Sequence, residues 1–188
     1  MSTQNASERS ASRIGILTWL ALAVALCAVA GSLYFSVVLG LKACPLCIYQ
    51  RSFVLGVFGL MLVGLGCDAR PGLLSLLALP MASAALTVAV FHVSLELRGI
   101  LECPAGILRI GSVPQQACAI LAVLFLVLVL DASGVGAGKR LRLPLPGGAL
   151  LLGLLLGVAS IASAPPLPKV PSGGWELPVD RDGCRPPA

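Results

Sequence analysis

Residues 44–51 of the chain read CPLCIYQR, and they lie between the first two long apolar runs of the sequence. A second run long enough to cross a bilayer has to start near Pro45, because about 20 residues are needed and a run counted from Ser52 is only marginal. This stretch therefore predicts the start of a membrane-spanning helix. It also draws Arg51 into the membrane interface, where a charge is costly and usually serves a function.

The composition of the chain is that of an integral membrane protein. Hydrophobic residues make up 57% of the chain and charged residues only 11%, which is about half of the charge that a soluble domain carries. The net charge of +5 comes without a basic stripe and with only 5% aromatic residues, which argues against nucleic acid as a partner. We interpret the basic residues as signals of membrane topology instead.

The lengths of the apolar runs predict an all-α membrane protein, a four-helix transmembrane bundle with a fifth, C-terminal transmembrane helix. The predicted spans cover residues 14–41, 45–67, 73–95, 114–130 and 143–164. The bundle with its loops thus occupies residues 14–164, preceded by a polar N-terminus over residues 1–13. Residues 165–188 form a Pro-rich tail, which we expect to be extended and without a core. Gly153 and Gly157 in the fifth span allow close helix approach or reflect only a Gly-rich sequence.

We expect the N-terminus to lie in the cytoplasm and the tail outside. The basic residues that then fall inside are Arg9, Arg13, Arg70, Lys139, Arg140 and Arg142. This agrees with the positive-inside rule, although the bias is weak because other basic residues lie near the outer face. The same topology places the loops around residues 44–47 and 96–116, together with the tail, on the oxidising side, where disulfides persist.

Cys44 and Cys47 permit three interpretations. A structural zinc site would need two more ligands of matching spacing, whereas the chain has one histidine and no second Cys-x-x-Cys motif, so we expect no metal. An inert disulfide would close a two-residue loop and gain little chain entropy. A redox-active pair is favoured, because a helix N-terminus and the nearby Arg51 would both stabilise a thiolate.

Residues 44–51 resemble the signature of the bacterial disulfide bond formation protein B (DsbB) family. The resemblance continues through His92 and Glu96 at the end of the third span and through Cys103 in the second outer loop, and it covers about residues 14–130. It implies a four-helix bundle in the bacterial inner membrane. Such a protein takes electrons from a periplasmic thioredoxin-like (DsbA-like) oxidase and gives them to a membrane quinone, for which ubiquinone and menaquinone fit equally.

The resemblance also implies roles for individual residues. Cys47 would face the quinone with Cys44 as its disulfide partner, Arg51 would lie near the quinone ring, and an outer-loop disulfide would meet the soluble oxidase. His92 and Glu96 lie four residues apart and share a helix face. Either His92 is a hydrogen-bonded residue of the bundle and Glu96 is interfacial, or His92 donates a hydrogen bond or conducts protons at the quinone and Glu96 orients it.

The partner of Cys103 is open between two cysteines. Family analogy favours a cysteine of the same loop, which here means Cys118, but Cys118 lies within the predicted fourth span. Cys184 lies at the end of the tail on the same outer face, and about 20 extended residues reach about 60 Å, which favours Cys184. The chain has seven cysteines, so at least one stays unpaired, and we interpret Cys27 and Cys67 as small buried hydrophobic residues.

Two other classes of function remain. A vitamin-K-epoxide-reductase-like quinone reductase is also a four-helix membrane enzyme, but its Cys-x-x-Cys motif resembles a late-helix element, whereas the motif here comes early. A non-enzymatic membrane subunit would use its cysteines only for structure. An assay of quinone reduction by a reduced thioredoxin-like protein separates the subunit from both enzymes.

Overall fold

The computed structural model describes residues 2–67, 71–136 and 144–187, and this part of the chain is built from helices. The long helices are α1 (Ser2–Leu33), α2 (Pro45–Gly66), α3 (Pro71–Leu97), α4 (Val113–Gly136) and α5 (Pro144–Ala162). The shorter elements are a π-helical turn (Tyr34–Val38), a 3-10 turn (Ile107–Arg109) and α6 (Val179–Asp182). The described ranges contain isolated β-bridges but no strand.

Four of these helices, α1 to α4, are long and apolar enough to cross a membrane. The apolar part of α5 covers only Pro146–Ala162, which is about 26 Å of helix at about 1.5 Å per residue. This is slightly less than the hydrocarbon thickness of about 30 Å. The predicted all-α bundle with a fifth C-terminal helix is therefore confirmed, and the fifth helix is the shortest of the five.

Two helices extend beyond the predicted spans. α1 begins at Ser2, so the N-terminal segment before residue 14 continues the first span as helix. α4 ends at Gly136 and includes Asp131, which lies just past the predicted fourth span of residues 114–130. The basic residues Arg70, Lys139, Arg140 and Arg142, on which the predicted topology partly depends, lie outside the described residues.

α2 begins where the CPLCIYQR stretch predicts it. Pro45 occupies the first helical position, where its fixed φ and its missing N–H are tolerated. Cys44 is the N-cap, and its Sγ accepts a hydrogen bond from the backbone N–H of Cys47 at 3.3 Å. The start of this helix therefore fixes the position of one sulfur relative to the other.

α3 is the central helix of the bundle. In its membrane span 56% of the residues are buried, against 28% in each of the other three spans. Its buried residues include Ala78, Ala82, Ala85 and Ala89, and small side chains of this kind let helices approach closely in a membrane. Ser75 near the start of α3 and His92 near its end are both fully buried.

α5 packs directly on α3 through two glycines. A Cβ atom at Gly153 would lie 2.5 Å from the backbone oxygen of Pro80, and one at Gly157 would lie 2.7 Å from the side chain of Thr87. Side chains larger than hydrogen are excluded at these distances, as in other helix pairs that pack through small residues. Close approach of α5 to α3, rather than a chance excess of glycine, therefore explains why Gly153 and Gly157 lie four residues apart.

A buried carboxylate connects three helices at the end of the bundle remote from Cys44. Asp131 on α4 accepts a hydrogen bond from Thr18 of α1 at 2.8 Å and another from Ser75 of α3. All three residues are fully buried. Polar side chains in membrane helices commonly bond across helices in this way, so we infer that Asp131 fixes α1 and α3 against α4.

Replacing Asp131 with alanine should destabilise the bundle, because two buried hydroxyl groups lose their acceptor. Interhelical hydrogen bonds in membranes contribute about 0.6 kcal/mol on average and about 1.7 kcal/mol at most, so we expect a loss of about 1–3 kcal/mol. Thermal unfolding in detergent measures the loss. Ser133→Ala is the matched control, because the exposed Ser133 hydroxyl bonds only within α4. Equal stability of Asp131→Ala and the control would contradict this role.

Candidate functional site

Four cysteines and the histidine meet where the start of α2, the end of α3, the loop after α3 and the tail come together. Cys103 and Cys184 form a disulfide across a sequence separation of 81 residues. Of the two pairings that the sequence left open, the one with the tail is therefore confirmed. Cys118 is a partly buried thiol on α4, because that helix includes it in its first turns.

His92 lies between the two pairs of cysteines. Its side chain is fully buried, and its Nε2 lies 3.8 Å from Cys44 Sγ and 3.6 Å from Cys103 Sγ. Its other ring nitrogen, Nδ1, lies 3.4 Å from the side-chain amide of Gln50. The sulfurs of Cys44 and Cys184 and a ring nitrogen of His92 all lie within 4.8 Å of one another. One imidazole thus contacts both dithiol pairs.

Cys44 and Cys47 are thiols whose sulfurs lie 3.0 Å apart. The hydrogen bond with the Cys47 thiol, supported by His92, lowers the pKa of Cys44 below its ordinary value of 9.0, against the effect of burial. A sulfur with a lowered pKa is a better leaving group in thiol–disulfide exchange. The pair is close enough to form a disulfide by small side-chain rotations.

Arg51 is bound to the end of α1. Its Nε donates to Ser32 Oγ at 2.8 Å, and its Nη2 donates to the Ser32 carbonyl oxygen at 3.0 Å and to Ser36 Oγ. Ser36 lies in the π-helical turn of Tyr34–Val38, and such turns often occur at functional sites. Among the described residues, no carboxylate forms an ion pair with Arg51.

A cavity of about 140 Å³ opens beside Cys47, between α1, α2 and α4. Its polar lining includes Ser32, Gln50 and Arg51, and most of its other lining side chains are apolar. Cys27 also lines it and is exposed, as is Cys67 at the end of α2. The expectation that Cys27 and Cys67 are buried is therefore wrong, because the first faces a cavity and the second follows the last turn of a helix.

The side chain of Glu96 is hydrogen-bonded to Ser112 and not to His92. It accepts a hydrogen bond from Ser112 Oγ at 2.7 Å, which connects the end of α3 to the residue before α4. The residue that contacts His92 Nδ1 is Gln50. The interpretation in which Glu96 orients His92 is therefore corrected. Two side chains four residues apart share a helix face, but here each is hydrogen-bonded to a different neighbouring segment, His92 to Gln50 and Glu96 to Ser112.

The end of the tail is fixed to the loop before α2 and to the loop after α3 by contacts other than the disulfide. Lys42 Nζ lies 2.8 Å from Asp182 Oδ1, and Glu102 and Arg185 exchange backbone hydrogen bonds of 2.8 and 3.0 Å. The hydrogen bond with Lys42, followed by that with Arg185, holds the pKa of Asp182 below its ordinary range. The tail is largely irregular, as expected, but its last residues pack against the bundle.

Gly183 allows the close approach of the tail to the loop before α2. Its φ of +122° is one that other residues rarely adopt, and a Cβ there would collide with the carbonyl oxygen of Lys42. The Asp-Gly turn signal at residues 182–183 therefore presents Cys184 to the site, in the way such turns permit.

Six polar side chains that help to position this site were not predicted from the sequence. They are Ser32, Ser36, Gln50, Ser112, Asp182 and Arg185. A signal was available for Ser32, Ser36 and Gln50, because polar residues within apolar membrane runs commonly bond between helices. No comparable signal marks Asp182 or Arg185, since charged residues in a Pro-rich tail are ordinarily solvated.

Removing the tail after Pro171 should leave Cys103 as a free thiol, because its partner is removed with it. A peptide map under non-reducing conditions measures this directly by mass spectrometry. Cys118→Ser is the matched control and should keep the Cys103–Cys184 linkage. A truncated protein in which Cys103 is still quantitatively disulfide-bonded to Cys118 would contradict the pairing.

The comparisons with known proteins identify the family. A family model described as "Disulfide bond formation protein DsbB" matches residues 13–161. Searches of curated proteins and of solved structures give no match. The matched residues include the CPLCIYQR stretch, His92 and Cys103, whereas Cys184 lies beyond them. Since the match covers most of the chain, this protein belongs to the DsbB family of membrane oxidoreductases that act in disulfide bond formation.

Proposed function

We propose that this protein reoxidises a periplasmic thioredoxin-like (DsbA-like) dithiol oxidase and passes the electrons to a membrane quinone, either ubiquinone or menaquinone. Membership of the DsbB family supports this proposal. The observation that carries it is the proximity of the two dithiol pairs, in which Cys184 Sγ lies within 4.8 Å of Cys44 Sγ. Sulfurs at this distance can exchange after a small movement.

The relay begins with a thiolate of the reduced oxidase. Its attack on Cys103 Sγ forms a mixed disulfide and releases Cys184 as a thiolate. Because Cys184 Sγ lies near Cys44 Sγ, Cys184 attacks Cys44 of an oxidised Cys44–Cys47 pair and releases Cys47 as a thiolate. Each exchange breaks one S–S bond and forms another, so no electrons leave the thiols at this stage.

The second thiolate of the oxidase then attacks its own sulfur in the mixed disulfide, which leaves the oxidase oxidised and frees Cys103. Cys103 attacks Cys184 in the Cys44–Cys184 disulfide, restores the outer pair and releases Cys44, whose lowered pKa favours its departure.

His92 is suited to stabilise the thiolates of both pairs. Its Nε2 is within 4 Å of Cys44 Sγ and Cys103 Sγ, so a proton on this nitrogen can be donated to whichever sulfur becomes charged. Gln50 holds the opposite ring nitrogen. In this proposal His92 serves the exchange between the pairs, and Gln50 takes the orienting role that one of the two sequence interpretations gave to Glu96.

A bound quinone supplies the acceptor for two electrons and two protons. The cavity beside Cys47 is mainly apolar and contains Arg51, a combination that fits a flat ring with polar oxygens. Arg51 donates the N–H groups on its Nε and Nη2 to Ser32 and Ser36. The N–H groups on its Nη1 are left for a ligand oxygen. The charge of Arg51 would stabilise the negative charge that develops there.

We further propose that the N-terminus is cytoplasmic and that the four sulfurs lie at the periplasmic face of the bacterial inner membrane. The basic residues of the sequence support this orientation. The Cys103–Cys184 disulfide supports it as well, because disulfides persist on the oxidising side of the membrane. The division into a bundle over residues 14–164 and a periplasmic tail over residues 165–188 belongs to the same proposal.

Cys44→Ser and Cys47→Ser should each reduce quinone reduction by the reduced oxidase to background, because a single thiol cannot deliver two electrons by forming a disulfide. Quinone absorbance in a purified, detergent-solubilised system measures the rate. Cys67→Ser is the matched control, since Cys67 is exposed at the far end of α2. Normal turnover in either motif variant would make the pair structural and refute the proposal.

Arg51→Ala should slow quinone reduction by at least about tenfold, because a preorganised donor at a developing oxyanion is worth this much or more. The single-turnover exchange between the oxidase and the Cys103–Cys184 disulfide should stay unchanged, because Arg51 donates its hydrogen bonds to Ser32 and Ser36 and not to either of those two cysteines. A variant that loses partner exchange but keeps quinone kinetics would instead assign Arg51 to the thiols of α2.

A further inference from the structure

The structure assembles a set of metal-ligating groups that the sequence does not reveal. Sequence reasoning argued against zinc, because Cys44 and Cys47 have no second pair of ligands at a matching spacing. The fold supplies other ligands from distant segments. Cys44, His92, Cys103 and Cys184, which we call the sulfur–imidazole cluster, come from the start of α2, the end of α3, the loop after α3 and the tail.

The distances within the sulfur–imidazole cluster suit a tetrahedral zinc ion. With Zn–S bonds of about 2.3 Å and Zn–N bonds of about 2.0–2.1 Å, nitrogen and sulfur ligands lie about 3.6 Å apart. His92 Nε2 lies 3.6 Å from Cys103 Sγ and 3.8 Å from Cys44 Sγ. Cys184 Sγ lies within 4.8 Å of Cys44 Sγ and of a ring nitrogen of His92. Three cysteines and one histidine are a common structural zinc set.

The oxidation state decides whether these ligands are available. In the structure Cys103 and Cys184 are joined in a disulfide, and a disulfide sulfur is not the thiolate that zinc requires. Two electrons from a dithiol break this S–S bond and produce two thiols beside Cys44 and His92. Binding of the metal then releases the thiol protons. The complete ligand set therefore exists only in the fully reduced protein.

We propose that the fully reduced protein binds one Zn²⁺ ion through Cys44, Cys103, Cys184 and His92, and that the bound ion holds the relay in its reduced form. Zinc-bound thiolates cannot join into a disulfide until the metal leaves. The site goes beyond the function proposed above and does not depend on quinone, because it needs only that the outer disulfide can be reduced.

Gln50 completes the site as an outer-shell residue. A zinc-bound histidine usually gives its other ring N–H to an acceptor, which fixes the orientation of the ring. Gln50 lies 3.4 Å from His92 Nδ1, and the oxygen and nitrogen of a glutamine amide exchange places by a simple flip. With its oxygen towards Nδ1, Gln50 would hold His92 so that Nε2 faces the metal.

The test is a metal titration of the full-length protein in detergent. The protein is reduced with a phosphine, freed of reductant and titrated with Co²⁺, whose thiolate charge-transfer absorption reports sulfur ligation, and Zn²⁺ then displaces the Co²⁺. We expect one metal ion per reduced chain and binding at least about 100-fold weaker in the oxidised protein. Loss of a mere outer-shell partner already costs about 10- to 100-fold. Equal affinity in the two redox states would overturn the proposal.

Variants then identify the ligands. Cys184→Ser and His92→Ala should each weaken metal binding by the reduced protein by about 10- to 100-fold or more, which is at least the cost of losing a partner of a ligand. The matched control Cys67→Ser should bind the metal like the parent protein. Cys184→Ser replaces one atom outside the helices, so unchanged helical content by circular dichroism shows that it is folded. Full affinity in both cluster variants would place the metal on other thiols and refute the site.

A second readout separates this proposal from the quinone reaction. Oxidised glutathione should restore the Cys103–Cys184 disulfide of the reduced protein, and stoichiometric Zn²⁺ should slow this step by at least about tenfold, in line with the affinity of thiolate sites. A chelator should reverse the effect. Reoxidation at the same rate with and without Zn²⁺ would refute the regulatory part. A protein that binds zinc but never reduces quinone would refute only the proposed function.

Discussion

The disulfide between Cys103 and Cys184 is the constraint on which the site depends. It joins segments 81 residues apart, and closing a loop of this length restricts the unfolded chain by about 4–5 kcal/mol in the chain-entropy treatment. The membrane already restricts the chain, so the stabilisation here is smaller. The greater effect is positional: a sulfur from the end of the chain lies beside Cys44 at the start of α2.

In the relay proposed above, the Cys103–Cys184 disulfide would be broken during each cycle, so the tail would need a second attachment. The Lys42–Asp182 ion pair and the Glu102–Arg185 backbone pairing provide it. Both involve residues next to or near the cysteines, and neither depends on the S–S bond. In that proposed relay Cys184 would stay near Cys44 while it is a thiolate, so the exchange would be intramolecular, which is far faster than a reaction between free partners.

The sequence predicted the helices and favoured the Cys103–Cys184 pairing because both follow from patterns along the chain. Run lengths gave the spans, Pro45 gave the start of α2, and the length of the tail made Cys184 the favoured partner of Cys103. The contacts of His92 could not be predicted in this way. A helix period shows which residues share a face, but the partner of that face, here Gln50 rather than Glu96, depends on how helices pack.

The fifth helix has a consequence for where the chain can end. α4 carries the chain away from the sulfurs to the region of Asp131 and Thr18. α5 brings it back, and just past its end the hydroxyl oxygen of Ser163 lies 3.3 Å from that of Tyr49 on α2. With four crossings the two termini would share one end of the bundle, and any tail would start about 30 Å from the reactive thiols. An odd number of passes is therefore what places the C-terminal cysteine beside Cys44, and the gain or loss of one helix would move it to the other end of the bundle without altering any residue of the CPLCIYQR motif.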